Sequence, residues 1–171
     1  MATMHPITIR RGSFVCNLYD VANLMRLPLA NVRKLWKIMF SAEDENRETI
    51  QTIKNWLPNF IAECADHIPQ AEAELAALKT TAAQKHSESA VMGDGYWSKR
   101  VTGLKAAMKR AASKDNKANL TRELESAIAQ RDAPKLAEQA VRVAQRRVTA
   151  AKAAHVKAQK LQTIFNEFTT K

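Results

Sequence analysis

Apolar residues recur at helical spacing along most of this chain and alternate at strand spacing only once. Ile7 and Ile9 alternate, Arg11-Gly12 offers a turn and Phe14 to Cys16 return, so residues 6–16 hold the one short hairpin expected. Asn17, with Asp20 three residues on, reads as a helix N-cap, and the first helix is expected to start at Leu18. Ser41 with Asp44 marks a second start. Ile50, Ile53, Leu57, Phe60, Ile61 and Cys64 then share one helix face, with a kink or break expected at Pro58. Pro69 opens the next helix, whose apolar seam of Ala71, Leu75, Leu78 and Ala82 is narrow enough for an exposed or partner-facing element.

Residues 85–98, KHSESAVMGDGYWS, hold two of the four glycines and read as a linker or long loop. A short helix with Val101, Leu104, Ala107 and Met108 follows, and SKDNKAN at 113–119 separates it from another with Leu120, Leu124, Ala127 and Ile128. Asp132 and Pro134 suit the start of a last helix reaching Phe168. Breaks are therefore expected near residues 26–28, 41, 66–69, 86–97, 113–118 and 131–133. Within the last helix, Val141, Val148, His155 and Gln162 recur every seven residues, interleaved with Ala137, Ala144, Ala151 and Ala158. His155 and Gln162 weaken this seam as a dimeric coiled coil. A neighbouring stripe of Leu136, Ala140, Val143, Ala150 and Ala154 widens it, favouring an antiparallel hairpin with residues 118–130.

The fold class expected is all-α, an N-terminal helix-turn-helix-like bundle followed by a basic helical hairpin or extended bundle. Charge sharpens the division. Residues 1–90 carry ten Lys/Arg against ten Asp/Glu, whereas residues 91–171 carry seventeen against seven, so the formal net charge of +10 comes from the second half. Two regions are expected, a helical domain at 1–90 and a basic Ala-rich region at 91–171. No apolar run approaches the roughly 18 residues of a membrane span, and MATMHPITIRR places its basic pair after its apolar stretch, so neither a span nor a secretory signal is expected. Cys16 and Cys64 read as buried thiols of a reducing compartment, which makes cytoplasmic residence the expectation.

One segment points to chemistry. Residues 18–38, LYDVANLMRLPLANVRKLWKI, place the small Ala22 where two helices would cross, Met25 and Leu27 at a turn, and Val32 and Leu35 back on the same core. This resembles the helix-turn-helix motif of bacterial and phage DNA-binding proteins, in the form with Asp-Val-Ala in the first helix and Val-Arg in the second. The resemblance covers about 21 residues and implies a supporting helix at 18–25 and a recognition helix at roughly 28–38. Arg26 departs from it, standing where the family usually has a left-handed Gly.

The resemblance implies that Asn31, Arg33, Lys34 and Lys37 lie nearest the DNA, Arg33 as a bidentate base reader and the lysines as phosphate contacts. Two further basic groups suit backbone attraction: Lys99, Arg100, Lys105, Lys109, Arg110, Lys114 and Lys117, and Arg142, Arg146 and Arg147 on one side of the last helix, followed by Lys152, Lys157 and Lys160. Tyr96-Trp97 beside Lys99 and Arg100 either stacks on bases or anchors the linker. The four histidines are scattered, Cys64/His67 is half a metal site and no Gly-rich phosphate loop occurs, so no catalytic residue, cofactor or metal is assigned. The expectation is a non-enzymatic duplex-DNA-binding adaptor or regulator of phage or mobile-element type, small terminase-like proteins being one resemblance in that class, with homo-oligomers possible. Its rival is a structural or inhibitory module binding an acidic protein partner.

Overall fold

The N-terminal alternation forms its hairpin in a computed structural model describing residues 5–93 and 95–170. Strand β1, Ile7–Arg11, pairs antiparallel with β2, Phe14–Leu18, setting Ile9 opposite Cys16. Gly12 turns the chain at φ 54°, the left-handed backbone that the first residue of a II′ hairpin loop requires. The strand runs further than the apolar pattern suggested, so Asn17 faces Thr8 and caps no helix. Asp20 caps instead, its carboxylate accepting the Ala22 N–H at 3.2 Å.

What it caps is a six-residue 3₁₀ turn, Val21–Arg26, rather than an α-helix over 18–25. Residues 14–18 are committed to the strand, leaving too little chain for a full supporting helix before Leu27. Side chains three apart eclipse in a 3₁₀ turn, and Val21 and Leu24 use that register to bury completely. Leu27 and Pro28 are extended, no non-glycine residue among those described has positive φ, and Arg26 therefore needs no glycine geometry. Helix α1 follows at Leu29–Ser41.

Three more helices follow among the described residues: α2 at Glu43–Val91, α3 at Tyr96–Arg110 and α4 at Lys114–Thr169. Helix makes up 84% of the structure, and the fold is mainly all-α. The expected breaks at 41 and near 113 occur, whereas those at 66–69 and 131–133 do not, because α2 passes through Pro58 and Pro69 and α4 through Pro134. An interior proline frees the carbonyl four residues earlier. Pro58 and Lys54 are exposed, as are Pro69, Ala65 and Gln130, so solvent can satisfy those carbonyls and each helix continues. The linker expected over residues 85–98 is shorter than its composition suggested, since residues 85–91 and 96–98 are helical.

The chain forms two compact units, Met1–Gln70 with Thr149–Lys171, and Ala71–Val148. This division differs from a boundary near 90 because α2 and α4 each run through both units. In the first, Trp36, Met39, Ile53, Leu57, Leu161 and Phe165 join the hairpin's Ile7 and Ile9 in one core. Phe165 meets Trp36 edge-on at 5.4 Å between centroids, and Phe168 stacks on Phe40 at 5.6 Å. In the second unit Leu75 packs with Ala144 and Val148, so the narrow seam is covered by the chain itself. Leu120, Leu124 and Ala127 pack with Trp97, Val101 and Leu104 of α3, replacing the expected pairing of 118–130 with the last helix. Leu136 and Val143, at 59% and 49% exposure, leave the widening stripe outside the core.

Asn46 ties the hairpin to α2. Its side chain accepts the Arg10 N–H at 2.7 Å and donates to the carbonyls of Arg10 at 2.7 Å, Ala42 at 2.7 Å and Met39 at 3.2 Å. Thr49 donates to the Thr8 carbonyl at 2.8 Å. Asn46→Ala strands buried backbone groups and is expected to destabilise the protein by about 1–3 kcal/mol, read by denaturant unfolding; Thr49→Val should cost less, having one bond to lose.

Candidate nucleic-acid interface

Helix α1 contains no acidic residue, and Val32, Trp36 and Met39 fix its buried face. The 3.6-residue period therefore turns Ala30, Lys34, Lys37 and Ser41 outward, with Arg33 on one flank and Asn31 on the other. All six are exposed. Leu35 and Ala22 are only partly buried, so the α1 core is built on Val32 and Trp36 rather than on Ala22, Val32 and Leu35 as the spacing implied.

Three α4 lysines gather where α1 begins. Pro28 caps α1 without a side-chain hydrogen bond, and its first turn carries no acid to complement the positive end of the helix dipole. Lys157 donates to the Met25 carbonyl at 2.6 Å, while Lys152, Lys157 and Lys160 rim a shallow groove with Leu29, Ala153 and Val156 in its floor. Sequence placed these lysines with the arginines of α4, because nothing in the α4 pattern tells which element each turn of the helix will meet. Farther along, Glu167 pairs with Arg33 at 2.9 Å. Arg33 is thus held by its own chain, whereas Lys34 and Lys37 have no ion-pair partner among the described residues.

The second unit holds the other candidates. Helix α3 is likewise free of acidic residues, and Lys99, Lys105, Lys109 and Arg110 are exposed with no acid bonded to them among the described residues. Between them Gly103 has open space where a Cβ would stand, so little side-chain bulk covers that helix surface. Arg100 differs, paired with Glu123 at 3.3 Å. On α4, Arg147 pairs with Glu74 at 3.1 Å and Arg142 lies 3.8 Å from Glu138, while Arg146 is exposed. Two arginines of that group therefore have matching acids, Arg147 from α2 and Arg142 from the preceding helical turn. Tyr96 begins α3, and its ring meets Trp97 edge-on at 5.0 Å; Trp97 itself anchors the α3 core.

No three His, Cys, Asp or Glu side chains gather as metal ligands among the described residues, and no described helix is long and apolar enough to cross a membrane. Burial, then the neighbouring Glu63 carboxylate, push the Cys64 thiol up from its ordinary pKa and keep it protonated. Both cysteines are free. No protein-family profile, curated protein or solved structure matches this chain.

The Arg33–Glu167 pair is about half exposed on both sides, which sets its worth. A double-mutant cycle with Arg33→Ala and Glu167→Ala is expected to return a coupling energy of about 1 kcal/mol or less in thermal unfolding. A larger value would mean that Arg33 is locked to its own chain.

Proposed function

We propose that the first unit docks on duplex DNA through the outer stripe of α1, as a non-enzymatic adaptor or regulator. The observation that carries this reading is an acid-free helix whose exposed positions are small or basic and whose uncapped start is flanked by lysines of α4. A helix of this length is about 20 Å long and fits the major groove. Lys34 and Lys37 neutralise phosphates, which supplies affinity without sequence information. Asn31 is placed near the helix start, where its amide can read a base edge. Arg33 joins once a phosphate or guanine displaces Glu167, an exchange that a pair worth under about 1 kcal/mol permits.

Helix α3 supplies a second basic surface on the other unit, suited to backbone contact because Lys99, Lys105, Lys109 and Arg110 surround small residues. A phage or mobile-element setting accords with the resemblance of residues 18–38. The competing reading, an acidic protein partner, draws on one feature that phosphate does not use: the aliphatic floor of Leu29, Ala153 and Val156 beneath the lysines.

Titration with duplex, single-stranded DNA and RNA across a salt series tests the proposal. Lys34→Gln with Lys37→Gln should weaken duplex binding and lower the magnitude of the salt slope by about two, one for each lost phosphate contact. Glu167→Gln should strengthen it by freeing Arg33 and removing a negative charge. Unchanged duplex affinity in the folded double variant would overturn the assignment, and loss of binding to an acidic peptide instead would favour the protein-partner reading.

A further inference from the structure

The two edges of the hairpin are treated differently. Thr8 and Arg10 turn their backbone groups away from β2, and Asn46 and Thr49 of α2 bond them. Since Arg10 faces Val15 and Thr8 faces Asn17, the same alternation turns the N–H and C=O groups of Val15 and Asn17 away from β1. No backbone or side-chain group among the described residues bonds to them. Side chains do not screen this edge either, since Phe14 is 42%, Val15 53% and Tyr19 73% exposed. None of the usual protections of an edge strand is present in β2: no charge, proline or bulge.

We infer that the outer edge of β2 is an interface with a second copy of this chain, joined as an antiparallel β2–β2 pair about a two-fold axis at Cys16. Two features favour a second copy. The register is self-complementary: Val15 faces the partner's Asn17 and Asn17 the partner's Val15, so all four outward-facing groups on each strand are satisfied by the same groups of the other. Phe14 then lies opposite the partner's Leu18, covering an aromatic ring that is otherwise in solvent. Charge also permits it, because β2 is uncharged although the chain carries +10, and Arg10 and Arg11 lie on the strand away from the axis. The interface uses backbone bonding rather than the coiled-coil seam of α4, whose Ala144, Val148 and Ala158 are buried within the chain.

Sedimentation of the purified full chain across a dilution series, with amide exchange at Val15 and Asn17, tests this. The expected result is a reversible dimer in which protection of those two amides rises with protein concentration. Val15→Pro removes an outward N–H while leaving the ladder bonds of Cys16 and Phe14 in place, and should weaken the dimer roughly tenfold or more through two lost bonds. Opposed Cys16 residues of a non-hydrogen-bonded pair stand about 4.5 Å apart at Cα, within disulfide reach, so mild oxidation of the unaltered protein should give a dimer linked through Cys16 by peptide mapping. That measurement keeps the test intact if the proline variant fails to fold. A monomer at every concentration, a dimer with unprotected Val15 and Asn17 amides, or a dimer that does not crosslink at Cys16 would overturn the inference. So would protection that appears only when DNA or another protein is added, which would assign the edge to that molecule.

Discussion

The first unit depends on contact between its two ends of sequence. Trp36 is fully buried, and the residues that bury it include Leu161 and Phe165, contributed by the final turns of α4. Without those turns α1 would rest on the hairpin and the start of α2 alone, leaving one flank of its large aromatic side chain in water. Burying a tryptophan is among the largest single apolar contributions a small core can gather, and the edge-on ring pair adds a further fraction of a kcal/mol to about 1.5 kcal/mol. The same packing decides where α1 points its cations. With Val32, Trp36 and Met39 inward, Lys34 and Lys37 have nowhere to go but out.

Polar bonding completes what apolar packing begins. A two-stranded hairpin is marginal by itself. Here its inner face contributes Ile7 and Ile9 to the core, and Asn46, itself almost wholly buried, satisfies both backbone groups of Arg10. An apolar residue at position 46 would fill space as well but would leave those part-buried groups without their side-chain partner. The hairpin is consequently asymmetric, held along β1 and open along β2.

Local patterning made the helices and the hairpin legible, since Ile50 to Cys64 and Val101 to Met108 repeat at a period that only helices match. It misjudged Asn17 because a capping residue and a strand residue look alike until a partner strand is specified, and Thr8 is that partner. Local rules make Pro58 a kink and Pro69 and Pro134 helix starts, whereas all three lie inside continuous helices. Their tolerance depends on which side of the helix faces solvent, a property of tertiary packing. For the candidate interface, residues 29–37 could be found from sequence as a basic helix face. Glu167 and Lys157 could not, because each lies more than 120 residues from its contact and no local rule links them.

Arginine and lysine have parted company on this surface. Arg33, Arg100 and Arg147 each reach a carboxylate on another helix, as a long planar fork with several donors is suited to do. Lys34, Lys37, Lys105 and Lys109 lie on the outer faces of α1 and α3, with no ion-pair partner among the described residues. Exposed pairs contribute little to stability, so these arginines are held only loosely. The lysines point into solvent at no structural cost. Within each unit, the placement of Glu167, Glu123 and Glu74 rather than net charge decides which arginines are paired and which cations are not.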